Sequence, residues 1–174
     1  MPRYRGRLSV VSLLLGWATA CGPDGARTGT GRLRATVVAP GRDTVRFTAP
    51  ATARPCAADA GIVLEGLESG SGVLLWLRPA GDSALAGRYG FPVPGDTIPR
   101  RHAGVGVRYV FGAAAYGVTL DSGEVAVRQT NGAMTVEARG AGLQLPGATR
   151  AFVEAGFESV RIGSDSAPCE PEGS

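Results

Sequence analysis

The stretch Glu124–Arg139, EVAVRQTNGAMTVEAR, decides how the chain is read. Asn131-Gly132 stands between two runs that alternate apolar and polar residues. That is a strong signal for a two-residue type I′ hairpin, because both turn positions then need positive φ. The turn fixes the register: Thr130 faces Ala133, Val127 faces Val136 and Glu124 faces Arg139. Val125, Val127, Val136 and Ala138 then share one face, with Glu124, Arg128, Thr135, Glu137 and Arg139 on the other. The turn and the hydrophobic sorting thus agree on a β-hairpin. Opposite charges across its strands give Glu124 and Glu137 a pairing role worth ~0.2–1 kcal/mol per pair, and no acid/base role.

Outward from this hairpin the same grammar continues. PGRDT, AGDS, PGDT and LDSG carry turn residues, and with 27 Gly and 12 Pro no window sustains a helical period for three turns. Segments 33–39, 44–48, 62–67, 72–78, 86–91, 104–112, 115–120, 124–130, 133–139 and 150–162 read as strands. The expected fold is all-β, a single antiparallel β-sandwich of about 8–10 strands. In GVGVRYVF, Val105, Val107, Tyr109 and Phe111 share a face opposite Gly104, Gly106 and Arg108. VLLWL, Val73 to Leu77, is apolar throughout, which predicts a central strand covered on both faces. In FVEAGFESVRI the alternation lapses near Gly156 to Ser159, where a bulge is expected.

The N-terminus follows different rules. Arg3, Arg5 and Arg7 precede an apolar run from Leu8 to Ala20, and no acidic residue occurs before Asp24. A basic segment, a short apolar run and small residues at its end describe a secretory signal peptide over residues 1–20. The run is shorter than the about 20 residues a transmembrane helix needs. Ala18-Thr19-Ala20 is an A-x-A site that alone would release a soluble product. Followed by Cys21, the same residues resemble the lipobox of bacterial lipoproteins, although Ala18 stands where a Leu is usual. The resemblance implies that Cys21 is acylated, with palmitate as the expected kind of chain, and becomes the new N-terminus. An outer-membrane address is expected because Gly22, and not Asp, follows the cysteine.

Cysteine parity points the same way. Cys21, Cys56 and Cys169 are an odd number in an exported chain. A lipidated Cys21 leaves Cys56 and Cys169 to form a disulfide, which export favours. Residues 21–31, CGPDGARTGTG, read as a flexible tether with an r.m.s. span of roughly 18 Å. Residues 32–169 form one domain and 170–174 a short tail.

Charge and chemistry set further bounds. The chain has 18 Arg, no Lys and 15 acidic residues, and three arginines belong to the signal segment. The remainder is balanced at 15 of each sign, which leaves no basic footprint for nucleic acid. The single His102, in IPRRHAGV, reads as a surface residue in a loop entering a strand. GDSAL, Gly81 to Leu85, resembles the GDSL block of esterases and lipases, which would make Ser83 a nucleophile. The D-x-x-H which that family carries near its C-terminus is absent, and Gly81-Asp82-Ser83 reads as a hairpin turn. No phosphate loop, Rossmann fingerprint, HExxH or EF-hand loop occurs. The expectation is therefore no catalytic residue, no metal and no cofactor.

The order LLWLRPAGDSALAGRYGF, GVGVRY, SGEVAVRQTNGAMTVEARG, AGFESVRI and a late Cys is similar to that of small bacterial β-sandwich lipoproteins. The resemblance implies a fold and an address, and no activity. The function expected is that of a lipid-anchored, non-enzymatic envelope module that meets the membrane through its lipid and binds an envelope protein or polysaccharide. A small-ligand carrier lined by Trp76, Tyr89, Phe91 and Tyr109 is the alternative. A secreted form and a hydrolase built on Ser83 or His102 are the remoter ones.

Overall fold

The computed structural model describes residues 31–41, 43–57, 60–81, 84–92 and 101–169. Those residues form nine strands and no helix: β1 (Gly31–Val38), β2 (Val45–Pro55), β3 (Ile62–Glu68), β4 (Ser71–Arg78), β5 (Gly87–Tyr89), β6 (His102–Phe111), β7 (Ala114–Thr130), β8 (Ala133–Leu145) and β9 (Thr149–Arg161). The all-β, antiparallel character expected from the turn density holds. The sandwich does not. The sheet order is β5-β7-β6-β4-β3-β2-β1-β9-β8, and β7 also pairs with β8, so eight strands close into a barrel.

Closure has a physical cause that lies in one strand. Segments 115–120 and 124–130 read as two strands because Asp121-Ser122-Gly123 looks like a turn. They are one 17-residue strand, β7. Asp121 is an extra residue between Leu120↔Gly142 and Ser122↔Ala141, a bulge and not a reversal. A strand of this length pairs with β6 over Ala114 to Thr119 and with β8 over most of its length, from Gly117 to Thr130. Tight connections at 69–70, 112–113, 131–132 and 146–148 keep neighbours paired, so the meander curls onto itself and never crosses between two sheets.

The hairpin at Asn131-Gly132 has the register read from its turn, with Thr130↔Ala133, Val127↔Val136 and Glu124↔Arg139 paired. Both turn residues have positive φ, 52° and 75°. The expected bulge in β9 is also present: Met134 pairs with Val160 and Val136 with Phe157, and Ser159 has a φ of 55°. β2 runs further than the segment 44–48 predicted, through Pro50. Pairing with β3 begins only at Ala51, so Pro50 lies at the end of a stretch that pairs with β1 alone, where a missing N–H is tolerated.

The core is the inside of the barrel. From Gly31 the register runs through Ala51, Gly66, Val73, Val107, Val118 and Gln144 to Thr149 of β9. Arg32, the next residue of β1, lies beside Glu158. This stagger of about ten residues tilts the strands steeply, and an eight-stranded barrel of this kind is just wide enough for side chains to fill. Leu33, Leu64, Leu75, Leu77, Phe157 and Val153 fill it, against small Ala49, Ala51 and Ala53 on β2. Gln144, a buried polar residue, accepts a hydrogen bond from the Tyr109 hydroxyl and donates one to Pro146 O at 3.4 Å.

Two local devices finish the end where β1 begins. β6 parts from β7 after Gly106↔Thr119, and β5 fills the gap: Gly87, Arg88 and Tyr89 pair with Val127, Ala126 and Val125. Ala103 N donates to Gly90 O at 2.8 Å, which holds β5 against β6 as well. Beyond β9 the chain steps across the start of β1 onto the edge of β2. Gly163 N donates to Ala53 O and Ala167 N to Pro55 O, both at 2.8 Å. There Cys169 and Cys56 form the expected disulfide, with Cα atoms 5.3 Å apart, closing a separation of 113 residues.

Candidate functional site

Alternation along each strand sends one set of side chains inward and the other to the surface, so register decides which surface residues become neighbours. Across β3, β4, β6, β7 and β8 it aligns two outward rows. One reads Leu67, Gly72, Arg108, Gly117, Leu145; the other reads Glu65, Leu74, Gly106, Thr119, Leu143. Leucines stand on β3–β4 and on β8, and glycines lie between them. The result is a mostly apolar trough of about 440 Å³ on the outside of the barrel. Its leucines are open to solvent: Leu67 is 67 % exposed, Leu145 59 %, Leu74 53 % and Leu143 45 %. Val110, also exposed, adjoins them at the end of β6.

The glycines are not equivalent. A Cβ on Gly72 would stand 2.5 Å from Gly66 O, so the backbone there requires glycine. At Gly106 and Gly117 nothing lies within 4 Å of an added Cβ. Glycine within a strand costs roughly 0.5–1 kcal/mol relative to alanine, and at these two positions packing does not demand it. What these residues supply is the depth of the trough. Polar groups within it are few. Glu65 is ion-paired to Arg54 at 3.2 Å, and Arg108 has no acidic partner among the described residues.

The outer face over β8, β9 and β1 is built differently. Arg34 pairs with Glu158 at 3.4 Å, Arg139 with Glu154 at 3.7 Å and Arg128 with Glu137 at 2.5 Å. Glu124 takes Arg88 of β5 as its partner at 2.5 Å, while Arg139 opposite it turns to β9. Beside the trough, the β7 bulge presents Asp121 to Arg150, whose two terminal nitrogens reach its carboxylate oxygens at 3.0 and 2.5 Å. The Arg150 hydrogen bonds hold the Asp121 carboxyl below the usual aspartate range, and Asp121 in turn raises the Arg150 guanidinium.

Of the residues singled out from the sequence, Cys56 and Cys169 are joined and Trp76 meets His102, but the four aromatic residues expected to line a ligand site do not form one. Tyr89 and Tyr109 are core side chains, and Phe91 packs partly buried against that core. Burial pushes the Tyr89 hydroxyl up, opposed by the charge of Arg101. Trp76 points outward, half-buried, with His102 edge-on at 5.5 Å and the Arg78 guanidinium 4.5 Å above its ring. It covers Gly104, whose added Cβ would lie 3.3 Å from the indole. His102 is the first residue of β6, not part of the loop before it. VLLWL is not covered on both faces, since Leu74 is exposed. Cys21 and Ser83 lie outside the described residues. No three His, Cys, Asp or Glu side chains meet among the described residues.

The trough leucines were missed. Their signal was present in part, because Gly104, Gly106 and Arg108 already shared a face opposite the core residues of β6. Joining that row to Leu67 and Leu145 needs the register of five strands at once, which no single segment contains. Compared with protein-family models, curated proteins and solved structures, the chain matches none.

Proposed function

We propose that the chain is an exported, lipid-anchored envelope protein whose barrel is a non-catalytic module acting through its outer surface. The observation that carries this reading is the contrast between a barrel filled with side chains and an open leucine-walled trough outside it. A filled interior leaves the surface as the place for function, and exposed apolar patches are where soluble domains meet partners. Apolar residues inside and paired charges outside are the reverse of a barrel embedded in lipid. Attachment therefore falls to Cys21 and the tether of residues 21–31. The disulfide and the signal-like N-terminus both fit an oxidising compartment outside the cytoplasm.

The test is the intact mass of protein extracted from native membranes, with and without reduction. A chain starting at Cys21 with a diacylglyceryl group, whose other cysteines alkylate only after reduction, supports the reading. An unmodified chain starting at Cys21 means cleavage after Ala20 and release, and removes the anchor. The trough also favours a second reading, a carrier for a small apolar ligand, because its 440 Å³ lies within the ~300–1,000 Å³ typical of ligand pockets. Native mass spectrometry of the purified domain with added fatty acid separates the two: a stoichiometric adduct supports the carrier.

A further inference from the structure

We infer that the leucine trough is the face with which the barrel sits on the bilayer to which it is tethered. The inference rests on the lipid-anchor reading and adds an orientation to it. Three observations lead to it.

The most open apolar residues are gathered. Leu67, Leu74, Leu143 and Leu145 line one trough, whereas the neighbouring face over β8, β9 and β1 carries the exposed pair Val38 and Phe152 among cross-strand ion pairs. Their side chains project from two ridges and can enter the boundary between headgroups and acyl chains, as the apolar face of an interfacial helix does.

Arg108 is placed for the same surface. It stands between Gly72 and Gly117 in the middle of the trough, exposed and without an acidic partner among the described residues. A guanidinium flanked by leucine ridges meets phosphate groups at the depth where the leucines meet hydrocarbon.

The chain outside the barrel has the right length and enters at the right place. Cys21 precedes Gly31 by ten residues, a span of at most ~33–36 Å. Gly31 pairs with Ala51, which pairs with Gly66 beside the β3 ridge, so the entry point lies about two strand spacings, roughly 10 Å, from the trough. The tether makes docking intramolecular, with an effective concentration in the millimolar range. A patch of four leucines, too weak to hold a free protein on a membrane, is then sufficient to orient an anchored one.

The test separates this inference from the anchor itself. In the chain from Cys21 to Ser174, which contains every described strand, Cys56 and Cys169 are joined, and Cys21 can be coupled to a maleimide-bearing lipid. Vesicles of phosphatidylcholine and phosphatidylglycerol, with ordinary or dibrominated acyl chains, then supply the bilayer whether or not cells lipidate the cysteine. Leu145→Trp places a reporter on the trough, and Glu137→Trp places one on the ion-paired face. Quenching by brominated chains at least twofold stronger at position 145 than at 137 is expected, above the constant contribution of Trp76. Adding Leu67→Asp and Leu74→Asp to the Leu145→Trp chain is expected to abolish that difference. Equal quenching at the two positions, no quenching at 145, or quenching that survives both aspartates overturns the inference and leaves the trough to a protein partner or soluble ligand. Failure of native lipidation by intact mass is a separate result, and it strikes the anchor and not the orientation.

Discussion

The two outer faces of the barrel belong to one sheet and share the same alternation and the same core, and differ in what points outward. Over β8, β9 and β1 that is mainly arginines and glutamates matched across strand boundaries, with Val38 and Phe152 as an exposed apolar pair among them. Over β3, β4, β6 and the first half of β7 it is leucine and glycine. Paired charges make a surface that water satisfies. Bare glycines and exposed leucines make one that water does not, and they weaken the strands that carry them. The fold needs the inward residues of both faces equally, so the outward differences are where a role distinct from stability can be read.

The comparison breaks most visibly where adjacent residues face opposite ways. Leu75 is fully buried beneath the trough and Leu74 is exposed in it. Leu75→Ala should lose about 2–5 kcal/mol in urea unfolding, while Leu74→Ala should stay within ~0.5 kcal/mol. A comparable loss at both positions would mean that the trough is part of the core.

Removing the Cys56–Cys169 bridge by Cys→Ser at both positions should cost about 2–5 kcal/mol, read from the same curves. The bridge lies apart from both faces, so trough substitutions should add to its effect.

The glycines sharpen the contrast at smaller scale. Gly106→Val should raise the thermal midpoint, by a gain of up to ~1 kcal/mol, because a β-branched residue suits the strand and nothing obstructs it. Gly72→Val should lower the midpoint, since its Cβ meets a backbone oxygen. If Gly106→Val is destabilising, the open trough is not maintained at the expense of stability.

The smallest effect belongs to the charged face and its neighbour Asp121. Arg150 holds the Asp121 carboxyl below its unfolded range. Its contribution is thus present above that range and fades as pH falls through the lower, folded value. Asp121→Asn should lower the thermal midpoint slightly at neutral pH, and the gap from the parent chain should close in acid. A gap that persists at the acid end would assign the loss to the bulge geometry instead of the ion pair.

How far the sequence reached follows from the range of each signal. Asn131-Gly132 specified its hairpin completely, because a two-residue turn fixes register by local geometry alone. Asp121-Ser122-Gly123 misled, because the same residue types suit a reversal and a bulge, and only pairing with β8 on both sides distinguishes them. Sandwich and barrel both bury one face of every strand, so alternation could not choose between them. The choice lay in whether β7 continued far enough to meet both β6 and β8. The trough was legible only as separate glycines and leucines until those pairings placed them side by side.

The placement of β1 bears on mechanics as well. The chain reaches the barrel through Gly31, and β1 runs from there between β2 and β9, hydrogen-bonded to both along its length. Tension transmitted from an anchor at Cys21 would act along that strand, loading both ladders in shear so that their bonds resist together instead of opening one at a time. The tail bonded to Ala53 and Pro55, and stapled at Cys56, braces β2 at the same end. A pull entering through Gly31 would thus be shared by two ladders from Arg32 onward.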